Sequence, residues 1–282
     1  QPGWKLENPA QQASPVRCTQ FSQTIYTMTL YDTKFWDAID GARAELGGSY
    51  YYDHETDTEH NFPAKDKTKY AKAYQYCFVT LDTFINLADT IEEIKLIKAQ
   101  IQHSQDFALQ NKEFTTDFIL NFSYKNWIIR INIIAEQLIF LVNHVYRLRL
   151  SDKDLINQIF EHSKVKDDKA LYFALLNLVD FLHEKILIKV NTQSIKRARN
   201  EIVHNANFQH ETISNLSFKL FEFKMGIADK QDDEDLYLEE GQASEKIKNE
   251  ILDFSNQFLE KYFSLYSLFA EEFSKNFKSL ML

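Results

Sequence analysis

Residues 127–150 read WIIRINIIAEQLIFLVNHVYRLRL. Ile128, Ile131, Ala135, Leu138, Val142 and Val145 step by three and four, which lays one apolar stripe along one face of a helix. The same stretch carries Arg130, Asn132, Glu136, Gln137, Asn143 and His144. A membrane span would not tolerate that many polar groups. The pattern therefore predicts a core helix, from about Thr116 to Leu150, in a protein with no membrane segment.

The flanking sequence repeats this pattern. A long helix is expected from Lys65 to near His103, with Tyr74, Phe78, Leu81, Ile85, Ala88, Ile91 and Ile94 as its stripe. Ser151-Asp152 offers an N-cap for a shorter helix through His162. Another helix begins near Asp167-Asp168 and carries Leu171, Leu175, Leu178, Leu182 and Ile186. The last helix, about Ala243 to Phe277, repeats Ile247, Ile251, Phe254, Phe258, Tyr262, Leu265, Phe269 and Phe273. Gly is 6 and Pro is 4, too few for a loop-rich β fold. The fold class is mainly α: an antiparallel bundle of long helices.

Other segments break the helical pattern. Residues 1–17 lack periodicity and read as a disordered tail or a remnant unrelated to the fold. Residues 18–31 alternate weakly and suggest a strand. Phe35, Trp36 and Ile39 begin a short helix that Gly41 is expected to interrupt. Asp53 to His60 reads as an acidic solvated loop, since His54 and His60 lack the spacing of two metal ligands on one helix face. Residues of about 210–242, with Phe218, Leu220, Phe221, Phe223 and Met225 followed by Asp232 to Asp235, read as an extended or hairpin-like insertion with an acidic tip. No repeat or linker divides 18–282, so one domain is expected.

Formal net charge is −9, with a pI of about 5.4. Such a balance argues against general polyanion binding, yet local sign matters more than the total. From Lys185 to Asn200 the chain has Lys185, Lys189, Lys196, Arg197 and Arg199 and no Asp or Glu. A polyanion would dock on such a run. The plainer alternative is a solvated helix end whose cations complement a helix dipole. Cys18 and Cys77 make no disulfide framework and read as free thiols in a reducing cytoplasm. No signal peptide is evident, and no cofactor is expected.

Asn191-Thr192-Gln193-Ser194 is a run of capping residues that should start a new helix. Within that helix lies Arg199-Asn200-Glu201-Ile202-Val203-His204, followed by Asn205-Ala206-Asn207. Arginine is a permanent cation whose planar fork suits phosphate. Histidine can give or take a proton near neutral pH. Together they are the minimum set for cutting a phosphodiester whose own 2′-hydroxyl is the nucleophile. On an ideal helix, advancing about 100° per residue, Ile195, Ala198, Ile202 and Ala206 share the core side. His204 points away from it, near Arg197, Asn200 and Asn207. Arg199 lies about 140° from His204.

The spacing and the polar residue after the arginine resemble the Arg-polar-x3-His signature of the HEPN superfamily, many of whose members are ribonucleases. The resemblance covers this one short motif. It implies a HEPN-like helical bundle and a metal-independent RNA endonuclease with a toxin or host-defence role. Arg199, His204 and Asn200 would be the catalytic set. Arg197, Lys196, Lys189 and Asn207 would bind substrate, and no metal ligand is implied. HEPN ribonucleases typically pair two motif helices across a dimer, which would resolve the 140° divergence. The implied partners are single-stranded RNA, a second copy of the chain and an antitoxin or regulatory protein. The alternative is a non-catalytic HEPN-like interaction module, partnering for example a nucleotidyltransferase; the acidic charge and the segment near Asp232 favour it.

Overall fold

Thr33 opens the described part of the chain: its hydroxyl accepts from the backbone N–H of Trp36 at 3.2 Å and so caps α1 (Lys34–Gly47). The computed structural model describes residues 33–48, 50–53, 58–111, 113–151, 154–182, 185–188, 191–205, 210–225 and 233–282. The tail expected at 1–17 and the strand expected at 18–31 lie outside the described residues. Helix α1 runs through Gly41 rather than breaking there. It stops at Gly48, whose φ of 68° lets the chain turn; a Cβ there would sit 2.2 Å from the Ala64 nitrogen. Buried Phe35, Ile39, Ala42 and Leu46 give α1 an inward face on both sides of Gly41, and that burial outweighs one glycine.

A hairpin follows, β1 (Tyr50–Asp53) with β2 (Thr58–Asn61), where a loop was expected. Then come α2 (Ala71–Gln102), α3 (Ser104–Gln110) and α4 (Thr116–Val145). Next are α5 (Leu155–Glu161), α6 (Ser163–Asp167) and α7 (Lys169–Leu182). A second hairpin joins β3 (Lys185–Ile188) to β4 (Asn191–Ser194) and leads into α8 (Ile195–Asn205). Helices α9 (Glu211–Lys224) and α10 (Asp233–Met281) complete the chain. The described chain is mainly α, as its apolar periodicity requires.

Helix α4 is the hub, packed against α2, α3, α5, α8, α9 and α10. All six residues of its stripe are buried, and Leu120, Tyr124, Trp127, Ile134 and Leu141 add to them. A fully buried side chain of this size contributes about 1.5–3 kcal/mol. Long and apolar enough to cross a membrane, α4 is spent inside the bundle, mostly covered by its neighbours. Its partners fix direction. The Tyr76 hydroxyl near the start of α2 donates to the Val145 carbonyl at the end of α4, so these two helices are antiparallel. Tyr124 bonds Glu250, Trp127 bonds Ser255 and Asn276 bonds Val145, so α10 runs parallel to α4.

Three further expectations are corrected. The stripe of α2 is one residue out of phase in its first half. Ala73, Cys77, Thr80, Phe84 and Leu87 are buried, whereas Phe78 is exposed and stacks on Tyr74. Small and polar residues carry the true inner face there, which hides it. Ile186 sits in β3, not in a helix, because α7 ends at Leu182. The extended insertion expected at about 210–242 is helical where it is described, in α9 and in the first turns of α10, which starts at Asp233 rather than near Ala243; Ile213, Leu216 and Leu220 form a buried i, i+3, i+7 face on α9. Phe218 and Phe221 lie exposed beside that face and mask its period. The buried apolar side chains form one connected core from Phe35 to Phe277. Within it the Cys77 thiol is free, and burial pushes it up to about 12. Cys18 lies outside the described residues.

Candidate functional site

Helix α8 starts where the capping run ends, at Ile195, directly after β4. It docks on α4. Ala198 is fully buried and Ile202 packs against the core, so two of the four expected core positions are in place. Ile195 and Ala206 are not among the residues whose side chains are described.

The other faces carry the polar residues. Arg197 and Asn200 are exposed. They stand at the helical positions nearest 204 by spacing. The Arg199 guanidinium reaches sideways over α8. Nη1 donates to the Asn200 Oδ1 at 3.3 Å, and Nη2 lies 3.9 Å from the Glu136 Oε1 of α4. Its side chain keeps 37% of its exposure and that of Glu136 keeps 58%. A solvated pair at that distance is worth about 0–1 kcal/mol. A phosphate could therefore replace Glu136 as the partner of Arg199 at small cost.

Of the expected site residues, the structure brings together Arg199 and Asn200 and leaves Arg197 exposed on the same short helix. His204 lies in α8, but its side chain, like that of Lys196, lies outside what the structure describes; so do residues Lys189 and Asn207. Among the described residues no group of three His, Cys, Asp or Glu converges as a metal site would require. The side chains of the 53–60 segment are outside that set.

A second polar cluster was not legible in the sequence. His210 is almost wholly buried at the head of α9. Its Nδ1 accepts from the Thr212 backbone N–H at 3.2 Å, so Nε2 carries the proton and donates to Glu250 at 3.0 Å. The Tyr124 hydroxyl donates to the other Glu250 oxygen at 2.7 Å. Burial pushes the Glu250 carboxyl up, but the hydrogen bonds from His210 and Tyr124 outweigh it and hold the group below the ordinary glutamate range. This cluster fixes α9 to α4 and α10. With every functional atom of the His210 ring engaged, it has no free base to offer a substrate. Histidine is not a favoured capping residue, and Glu250 is 40 positions away, so no local signal marks the pair.

Comparison with protein-family models, with curated proteins and with solved structures finds no match to this chain.

Proposed function

We propose that the chain is a metal-independent RNA endonuclease of the HEPN type, serving as a toxin or in host defence. The observation that carries this reading is the setting of the Arg199–His204 motif. It occupies a short helix anchored by Ala198 and Ile202, with Arg197 and Asn200 exposed and, among the described residues, Arg199 held by weak partners. In this mechanism His204 takes the proton of the 2′-hydroxyl or gives one to the leaving 5′-oxygen. Arg199 neutralises the negative charge that develops on the phosphate. Asn200 orients a phosphate oxygen, and Arg197, Lys196, Lys189 and Asn207 hold the strand. Single-stranded RNA fits best, because in-line attack needs a flexible backbone.

The 140° between positions 199 and 204 on one helix calls for a second copy. In a two-fold dimer with residues 199–207 near the axis, the arginine of one protomer can face the histidine of its partner. The test is cleavage of labelled RNA with and without chelator, beside sedimentation at micromolar concentration. Activity that vanishes with chelator and returns with manganese would overturn the metal-independent mechanism. A strictly monomeric protein that remains fully active would overturn the shared site.

One observation favours a second reading, a non-catalytic interaction module. Phe107, Phe114, Phe118 and Phe122 are exposed and, with Leu96, line an apolar groove of about 590 Å³ between α2, α3 and the start of α4. Exposed apolar surface of this kind is typical of a protein-docking face; here the fitting occupant is an apolar helix of another protein. Purified protein without any RNA cleavage would leave this reading in place of the first.

A further inference from the structure

The opposite end of α4 carries a feature that neither reading uses. A cleft of about 480 Å³ lies between the start of α2 and the loop after α4, lined by Lys72, His144, Arg147 and Arg149 with Tyr76 and Leu280. Lys72, Arg147 and Arg149 join no ion pair among the described residues. Of the carboxylates that act on Tyr76 and Tyr146, Glu272 and Asp168 are held by other partners. Glu272 accepts from Asn276 at 2.8 Å and pairs with Lys275 at 3.1 Å, and Asp168 accepts from the Leu171 backbone N–H at 3.0 Å. Three cations with no ion-pair partner among the described residues therefore gather in one concavity of a protein whose net charge is −9.

The backbone that carries them is held in an unusual shape. Arg147 has φ 51° and Arg149 φ 59°, the left-handed region that favours glycine. Arg147 stands at the position after the helix cap where glycine is the common choice. Its N–H donates to the His144 carbonyl and the next, Leu148, to the Asn143 carbonyl. The buried Asn143 side chain then clasps both backbone groups of Leu150 at 3.1 Å. Strain kept at two arginines by a loop held through these hydrogen bonds points to a use for those arginines.

The plainer account is that cations here offset the negative end of the α4 dipole. The carbonyls leave little for them to do. The Val145 oxygen already receives the Tyr76 hydroxyl at 2.8 Å and the Asn276 amide at 3.0 Å. The Tyr146 oxygen receives the Lys164 ammonium at 3.0 Å. The last turn is satisfied without the side chains of Arg147 or Arg149.

We infer that this cleft binds the phosphates of a single-stranded nucleic acid and leads the strand toward α8. Residues 136 and 143 are two turns apart on α4, so the Arg199 contact and the cleft share one face of that helix. The separation along α4 is roughly 10 Å. That is about three stacked nucleotides at about 3.4 Å each. Two arginine forks and a lysine suit successive phosphates, and Tyr76 and Leu280 supply an apolar wall. The direction of the strand rests on the ribonuclease reading; the phosphate site does not.

The test is fluorescence anisotropy of the whole protein with a labelled single-stranded RNA oligonucleotide across a salt series. It compares wild type with the double variant Arg147→Gly, Arg149→Gly. Glycine removes both charges and relieves both positive φ angles, so the variant should melt no lower than wild type. Its RNA affinity should fall roughly 10- to 100-fold at low salt, and the log–log salt slope should shrink by about 1.4, the share of two phosphates on a single strand. Single-stranded DNA of the same sequence should show the same slope change, because the cleft reads phosphate rather than the 2′-hydroxyl. A millimolar mononucleotide should compete weakly; if it instead displaces RNA completely, the site is a nucleotide pocket and the strand proposal fails. Unchanged affinity and slope in the double variant, or no RNA binding by wild type at low salt, overturns the proposal. Wild type that binds RNA through these arginines but never cleaves it overturns the ribonuclease reading and leaves the cleft standing.

Discussion

At its N-terminal end α4 meets α2 and α3 across a groove of phenylalanines; at its C-terminal end it meets α2 across a cleft of cations. The helix between them is the most buried element of the bundle. Both surfaces are built on the same antiparallel pair of helices, yet they select opposite chemistries. The groove has side chains at 114, 118 and 122, four residues apart, that stay about half exposed in the described fold. The cleft has side chains displayed by an irregular loop, which backbone hydrogen bonds and the Asn143 side chain hold in place. A regular helix end can repeat a side chain along one line, as the phenylalanines do. Aiming two guanidinium groups into one cavity takes a turn that the regular helix cannot supply.

The comparison breaks first at the motif that lies between the two surfaces. His204→Ala should lower RNA cleavage about 10²- to 10⁴-fold while binding stays nearly intact, since the cations are untouched. Quantitative cleavage and anisotropy on one preparation check this. Arg199→Ala should also slow cleavage severely, and it needs a folding control because Arg199 sits beside the buried face of α8.

Trp127→Ala should disturb both ends together. Trp127 is fully buried at the middle of α4, and its indole N–H donates to Ser255 at 3.0 Å. Loss of such a side chain costs about 3–5 kcal/mol, read as a drop in the denaturation midpoint. A variant that loses only one surface would show that the two ends fold independently.

Glu250→Gln should cost about 1–3 kcal/mol at neutral pH, because the His210 and Tyr124 donors lose their charged acceptor. The pH dependence has a definite sign. The folded Glu250 carboxyl is held below its ordinary value, so its contribution is complete above roughly pH 4.5 and is lost as pH falls through the folded value. Urea midpoints between neutral and acid pH should therefore decline more steeply in wild type than in Glu250→Gln. Equal declines would place the acid limb elsewhere.

The smallest effect is expected in the groove. Phe118→Ser and Phe122→Ser replace side chains that are 52% and 54% exposed, so stability should change by about 0.5 kcal/mol or less. RNA binding should not change at all, which thermal melts and anisotropy together can check. A large loss of stability would mean that the groove is part of the core.

Much of this architecture can be read from the chain, and the failures have physical causes. The stripes of α4 and α10 are legible because large aliphatic and aromatic residues occupy every inner position. The stripe of α2 is not, because Cys77 and Thr80 face inward while Phe78 faces out. Helix α9 is obscured the same way by Phe218 and Phe221. The start of α8 at Ile195 follows from the capping run before it. The cationic cleft escapes notice because glycine is the usual sign of a left-handed turn, and here arginine takes that place twice. The His210–Glu250 contact escapes because it joins residues far apart in the chain.

The account turns on whether the α8 motif uses the sugar of its substrate. The direct measurement is the fate of an RNA strand that carries a single 2′-deoxy sugar at the scissile position, beside the all-ribose strand. The account predicts that both strands bind equally, that only the all-ribose strand is cut, and that its product ends in a 2′,3′-cyclic phosphate. Equal cutting of the deoxy strand, or full activity of His204→Ala on the ribose strand, would contradict it.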